Sequence, residues 1–367
     1  MDRTASGEDM VLALHTYEAA AEERLPGPVW DFFAGGSGTE SMLTAGRDAL
    51  DRIRLRPRCL VDVSRCDPGT ELLGAGLAAP LGIAPMAYHR LAHPEGEVAT
   101  ARAAGEAGAL LTVSMFASRT LEDIAAAATG PLWLQLYWLR RRDLMADLIR
   151  RAEAAGFRAL VLTVDAPRVA FRPRDAANGF AVPSDIRAVN LAADVMAASH
   201  GSRAGESAIA RHSAEQFDSS ITWDDLAWLR EVSSLPLVLK GVLTGEDARL
   251  AVEHGVSGLV VSNHGGRQLD FARSAPDCLT EVVDAVAGGC QVVLDGGIRY
   301  GADIAKALCL GADAVMIGRP ALWGLAHSGT EGVAGVLRLL MGEFEEVMAL
   351  MGAPTVADFS RSGITTP

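Results

Sequence analysis

Short apolar runs recur along the chain, separated by segments with helix-type spacing. The runs span Leu81 to Pro85, Leu110 to Ser114, Leu132 to Tyr137, Ala159 to Asp165, Pro236 to Lys240, Gly258 to Asn263, Gln291 to Asp295 and Ala314 to Gly318. They are continuous rather than alternating, the pattern of strands buried on both faces of a parallel sheet. Between most of them lie stretches rich in Ala, Glu and Arg, such as Pro94 to Ala107 and Arg142 to Ala155, which predict helices. Eight strands alternating with helices predict an α/β fold, a (β/α)8 TIM barrel. A doubly wound sheet shares that alternation. The barrel is favoured because Tyr137, Asp165, Lys240, His264 and Asp295 stand at or just after strand ends, which a barrel gathers at one mouth.

Three segments fall outside the eight units, within what reads as a single domain over residues 1–367. Residues 8–55 predict two or three helices that cap the barrel's base or mouth. Residues 173–222 form an excursion between the fourth and fifth units, with Pro173, Asn178, Pro183 and one helical patch near Leu191 to Ala198. A loop of that length and composition predicts a lid. Glu331 to Gly352 predicts a closing amphipathic helix, and no repeat beyond the βα alternation is visible.

Composition narrows the partners. There are 33 basic and 46 acidic residues, a net charge of −13, which argues against nucleic acid or an anionic membrane surface. Cys59, Cys66, Cys278, Cys290 and Cys309 form no CxxC pair and are odd in number, so neither a disulfide framework nor a zinc site is expected. No apolar run approaches the roughly 20 residues that span a bilayer, and the N-terminal stretch lacks a signal-peptide core. The expectation is a soluble, cytoplasmic protein.

The densest chemistry is Ser262-Asn263-His264-Gly265-Gly266-Arg267-Gln268-Leu269-Asp270, directly after an apolar run. Asn-His-Gly-Gly is turn-forming, but a turn alone does not ask for an imidazole and a guanidinium together. The pair suits removal of a proton or hydride equivalent from a carbon whose carboxylate the arginine holds. Farther on, Asp295-Gly296-Gly297-Ile298-Arg299 and Gly318-Arg319-Pro320 follow the seventh and eighth runs. Glycines there admit backbone N–H groups to an anion, at the usual phosphate site of a barrel. Tight βα turns would also need glycine. A phosphate cradle beside a proton-abstracting mouth suggests a phosphorylated cofactor rather than metal chemistry. Neither GxGxxG after a first strand nor a P-loop is present, which disfavours NAD and ATP.

Taken together, the chain resembles the FMN-dependent α-hydroxy acid oxidases and dehydrogenases from about residue 15 to residue 360. SNHGGRQLD (262–270) is the most specific motif, supported by HPEGE (93–97), QLY (135–137), TVDAPR (163–168), LKG (239–241), DGGIR (295–299) and IGRP (317–320). FAGGSGTE (33–40) and AYHRLAHPEGE (87–97) look most like the 4-hydroxymandelate-oxidising branch. The resemblance implies His264 as catalytic base, with Asp165 orienting its ring. It implies Arg172 and Arg267 as the clamp on the substrate carboxylate, Tyr137 bonded to the substrate hydroxyl, and Lys240 beside the flavin's N1 and C2 oxygen. Pro85, Met86, Ala87, Ser114, Gln135, Thr163 and Ser262 would hold the flavin ring. Asp295, Gly297, Arg299, Gly318 and Arg319 would complete the ring and phosphate contacts. The reaction implied is oxidation of a small 2-hydroxy acid with O2 as acceptor, and relatives are commonly homotetramers. Which proton His264 takes, from carbon or from hydroxyl, stays open. Read singly, Asp165 also suits a helix N-cap, Tyr137 packing on Trp138, and Lys240 a solvated strand end.

One departure bears on substrate. Many relatives carry tyrosine where this chain has Phe32, which removes a hydroxyl from the carboxylate site, worth on the order of 0.5–1.5 kcal/mol net. With Tyr88 and Phe116 adding aromatic surface, an aryl substrate of the mandelate type is expected over lactate or glycolate. Of the remaining histidines, His93 reads as packing at a helix start. His15, His89, His200, His212, His254 and His327 read as surface or lid residues, His89 being the exception that could sit near the mouth. Competing readings are a dehydrogenase with another acceptor, an FMN-dependent isomerase of isopentenyl diphosphate, and a flavin-binding protein without turnover.

Overall fold

The computed structural model describes residues 13–191, 213 and 215–366. Eight parallel strands close into a barrel: β1 (Leu81–Ile83), β2 (Leu110–Ser114), β3 (Leu132–Leu136), β4 (Ala159–Thr163), β5 (Leu237–Val242), β6 (Gly258–Val261), β7 (Gln291–Asp295) and β8 (Ala314–Ile317). They neighbour one another in sequence order, and Val315 opposite Leu81 completes the ring. The barrel expected from the sequence is what forms. Strand ends differ from expectation by one or two residues: Pro85, Tyr137, Asp165, Asn263 and Gly318 lie past their ladders. Those residues leave the ladder because they turn toward the mouth.

The barrel interior is filled by Ala84, Leu110, Trp133, Ala159, Val161, Val238, Val260, Val293, Ala314 and Met316. Leu72 and Leu77 join that cluster from a short hairpin, Thr70–Leu72 with Ala75–Leu77, which the sequence pattern did not reveal. Its link to the first residue of β7, Leu73 N–H donating to Gln291 Oε1 at 2.7 Å, places it at the strands' N-terminal end. Trp133 is 1% exposed, so truncating it to alanine costs roughly 3–5 kcal/mol. That end is the stability end of the barrel, and chemistry is left to the other.

Three helices precede the barrel, Leu14–Arg24, Gly27–Ala34 and Met42–Arg52. The last helix runs Arg319–Met351 but breaks at Ser328 and Gly329, so the expected helix from Glu331 is its second half, ending at Gly352 in the left-handed region. Its first half starts directly from β8. The described ends of the excursion are packed: Pro173–Asn178 is helical, and Phe180, Val182, Ile186, Ala188, Leu191 and Phe217 are buried. Of the helical patch expected near Leu191 to Ala198, all but Leu191 lies outside the described residues, as do His200 and His212. His93 packs at Gly329, where an added Cβ would meet its ring at 2.9 Å. His89, set apart from the surface histidines, is 2% exposed, with Nδ1 2.9 Å from Thr100 Oγ1. A buried ring held by a neighbouring hydroxyl packs as part of the core. No described helix is long and apolar enough to cross a membrane.

Candidate active site

Residues 263–266 run through three successive positive φ angles, +58° at His264, +62° at Gly265 and +77° at Gly266. A Cβ at Gly266 would lie 2.8 Å from the Met42 carbonyl carbon, so only glycine fits there. A non-glycine residue held at positive φ is strained, and here the strain swings His264 over the mouth. Its backbone N–H donates to Ser262 Oγ at 3.0 Å. Its Nδ1 is 3.0 Å from Asp165 Oδ1. A carboxylate accepts, so Nδ1 carries the proton and Nε2 is left as the base. Burial pushes the His264 pKa below 6.5, against the opposing pull of Asp165. Burial would raise Asp165, but the imidazole beside it holds its pKa below the usual carboxylate value.

Gly241, φ +110°, is the extra residue of a bulge in β5, between Lys240 opposite Val260 and Val242 opposite Val261. A Cβ there would come within 2.5 Å of Asp165 Cβ. The bulge thus lets β4 and β5 set Asp165 and Lys240 side by side. Lys240 is 3% exposed, 3.0 Å from Asp295 Oδ2, and donates to Ser262 Oγ at 2.9 Å. Burial would lower its pKa, but Asp295 and Asp165 raise it, so the ammonium stays charged. It is not a solvated strand end. Tyr137 has its pKa pushed up to about 12 by burial and then by Asp165, which keeps its hydroxyl a donor.

Arg172 is buried, with Nε lacking a partner among the described residues and Nη1 3.9 Å from Asp175. Arg267 donates to the Gly35 carbonyl at 2.7 Å and lies over the Phe32 ring at 5.3 Å. Burial, then the charge of Arg172, lowers the Arg267 pKa well below its ordinary value. Two guanidiniums sharing one strained site call for an anion. The local field is therefore positive inside a chain whose net charge is −13.

Two cavities meet at this point. The larger spans about 970 Å³ of space and the smaller about 640 Å³, both counted out to where they open to solvent. Pro85, Tyr137, His264 and Arg267 belong to the walls of both. Of the expected cofactor residues, Pro85, Thr163, Lys240, Asp295, Gly297, Arg299, Gly318 and Arg319 line the larger cavity. Ser114 and Ala87 line only the smaller one, with Phe32, Tyr88, Phe116 and Arg172. Gln135 is fully buried and bridges Ser114 Oγ (3.1 Å) to Thr163 Oγ1 (3.0 Å). Ser262 acts through Lys240 and His264. Met86 lines neither wall, its sulfur lying 3.7 Å from where a Gly318 Cβ would be.

Both basic residues face the larger cavity and also make contacts within the protein. Arg319 donates to the carbonyls of Phe33 (3.0 Å), Gly265 (3.0 Å) and Gly35 (3.2 Å), and burial lowers its pKa to about 10. It therefore ties FAGG to the histidine turn while facing the cavity. Arg299 lies over Trp323 at 4.8 Å.

Sequence reasoning missed several lining residues. Met42, Leu43 and Gly46 come from the third N-terminal helix, and Gly46 lies against the Gly297 turn. The signal was a glycine inside a helix, which is costly unless another backbone approaches. Val169, Ser213 and Phe217 line the smaller cavity, and no local signal marks them.

A flavin mononucleotide fits this donor set. Asp295 lines the larger cavity, and its buried Oδ1 has no hydrogen-bond partner among the described residues, an acceptor suited to a polyol chain. Gly297, φ +83°, leaves no room for a Cβ, which would sit 2.8 Å from Gly46 backbone, and the nearby arginines complement a phosphate. The fold and site define a flavin-dependent barrel oxidoreductase.

The comparisons agree. The family described as FMN-dependent dehydrogenase matches residues 21–366. The 4-hydroxymandelate oxidase of Amycolatopsis orientalis is 48% identical, over 94% of this chain and 96% of its own. The glycolate oxidase of Spinacia oleracea is 44% identical, over 96% and 95%. The crystal structure of a mandelate oxidase with (S)-4-hydroxymandelic acid superimposes with a TM-score of 0.93, at 47% identity, over 97% and 99% of the two chains. The chain belongs to the FMN-dependent dehydrogenase family, and its cofactor is FMN.

Proposed function

We propose that the protein oxidises an (S)-2-hydroxy acid with an aromatic substituent, of the mandelate or 4-hydroxymandelate type, to the 2-oxo acid, with O2 reduced to H2O2. The observation that carries this reading is the shared wall: His264, Arg267 and Tyr137 face both the larger cavity and the smaller, aromatic-lined one. Arg172 and Arg267 bind the substrate carboxylate, with the forked geometry that lysine lacks. Tyr137 donates to or accepts from the substrate hydroxyl. His264 Nε2 takes a proton, and Asp165, fixed on Nδ1, stabilises the imidazolium. Bound FMN supplies the two-electron acceptor. Lys240, fully charged in its buried place, complements negative charge developing on that side of the site. Tyr88 and Phe116, 6.3 Å apart and stacked, offer flat apolar surface to an aryl group. Relatives named as mandelate and glycolate oxidases support the same class. Homotetramer formation belongs to this proposal by resemblance, and a cytoplasmic setting from the cysteine pattern.

Purified holoprotein should be yellow and should bleach anaerobically with (S)-mandelate, then recolour in air with stoichiometric peroxide. A His264→Asn variant should keep its colour and fail to bleach. A higher kcat/KM for glycolate than for mandelate would end the aromatic reading, and slow reoxidation in air would favour a dehydrogenase.

A further inference from the structure

The far end of the excursion is bound to the chain that carries Tyr137. Residues 216–218 run antiparallel to 138–140: Leu139 bridges Phe217, Arg140 N–H donates to Gln216 O at 2.9 Å, and Asp218 N–H donates to Trp138 O at 2.9 Å. Arg142 then pairs with the Asp218 carboxylate at 2.8 Å, whose other oxygen accepts from Ser220. Phe217 is thereby fixed opposite Leu139, two positions beyond Tyr137. Its ring stacks on Tyr137 with centroids 4.7 Å apart and planes 19° from parallel, and lies 6.2 Å from Phe116 at 21°. It is 5% exposed and still lines the smaller cavity beside His264, Arg172 and Arg267.

We infer that Phe217 is a specificity-determining residue, the wall of an aromatic slot that selects an aryl group on C2 and seats the Tyr137 ring. This rests on the aromatic-substrate reading above. Phe217 lies within about 20° of parallel to both Tyr137 and Phe116, which are tilted 34° to each other at 5.6 Å, and such an aromatic wall favours an offset-stacked or tilted ring over a hydrogen or methyl group. A small 2-hydroxy acid leaves those faces against water. The slot is built across two segments distant in sequence, so its selectivity depends on the 138–140/216–218 pairing as well as on the rings.

The test measures kcat and KM of the holoenzyme for (S)-mandelate and (S)-lactate in wild type, Phe217→Leu, Phe217→Met and Phe217→Tyr. FMN retention and Tm report folding in each. The expected result is a fall of about tenfold in the mandelate-to-lactate ratio of kcat/KM in the leucine and methionine variants. That fall should be carried by mandelate, and the tyrosine variant, which keeps the aromatic face, should retain the ratio. Should Phe217→Leu fail to retain FMN, the methionine and tyrosine pair decides. A wild type that prefers mandelate, with a ratio unchanged within twofold in the aliphatic variants, overturns the inference and leaves the substrate reading standing. A wild type that prefers lactate removes both.

Discussion

Asp165→Asn isolates the electrostatic part of the base. Asparagine keeps the volume and an acceptor oxygen for His264 Nδ1, now at 3.0 Å from Asp165, and removes only the charge. With that separation the charge centres of carboxylate and imidazolium lie about 4 Å apart, an attraction of about 4 kcal/mol at an effective dielectric near 20. Each 1.36 kcal/mol is tenfold in rate, and the retained acceptor offsets part of the loss. The expected fall in kcat/KM for mandelate is therefore about 100- to 1,000-fold. The acid limb supplies an independent sign. His264 already titrates below 6.5, because burial outweighs the opposing effect of Asp165. Removing Asp165 deepens that depression, so the limb moves to lower pH while the plateau drops. Stopped-flow reduction of the flavin between pH 4.5 and 8 measures both. An unchanged plateau, or a limb that moves to higher pH, would refute the pairing as the source of rate.

Phe32→Tyr should restore one hydrogen bond to the substrate carboxylate, about 0.5–1.5 kcal/mol. KM for mandelate is then expected to fall about two- to tenfold at constant kcat; a rise would show that the Phe180 ring, stacked at 4.5 Å, leaves the hydroxyl no room. Gly297→Ala would press a Cβ onto Gly46 backbone at φ +83°. A weaker FMN affinity in titration of apoprotein and a loss of about 2 kcal/mol in urea unfolding are expected; unaltered FMN binding would remove that turn from the cradle. His89 is held below 6.5 chiefly by burial, so the unfolded chain binds its proton first and stability declines as pH falls from about 6.5. Between pH 7 and 5.5 the drop in unfolding free energy should be smaller in His89→Gln than in wild type, and an equal drop would clear this residue.

Much of the barrel was legible because both-face burial writes itself locally: a strand such as Leu160-Val161-Leu162 has no polar face to show. The histidine and glycine motifs were legible for a related reason. A turn at positive φ and a backbone contact with no room for a Cβ restrict which residue types can stand there, so Gly266 and Gly297 leave a mark in the sequence. Strand ends, the roles of Arg319 and the surroundings of His89 were not, since each depends on neighbours from elsewhere in the chain. Arg319 reads from the sequence as a phosphate ligand, and only the fold adds that it also holds the carbonyls of Phe33, Gly35 and Gly265.

By itself, the amino-acid order determined the periodic strands, the tight turns and the pairing of imidazole with guanidinium, all consequences of interactions within a few residues. Only the folded chain decided that Asp165 meets His264 across 99 positions, that Gly241 bulges to make room for it, and that Phe217 returns to stack on Tyr137. Those contacts join segments whose separation in sequence carries no periodic trace, so closure of the barrel and pairing of its loops had to place them.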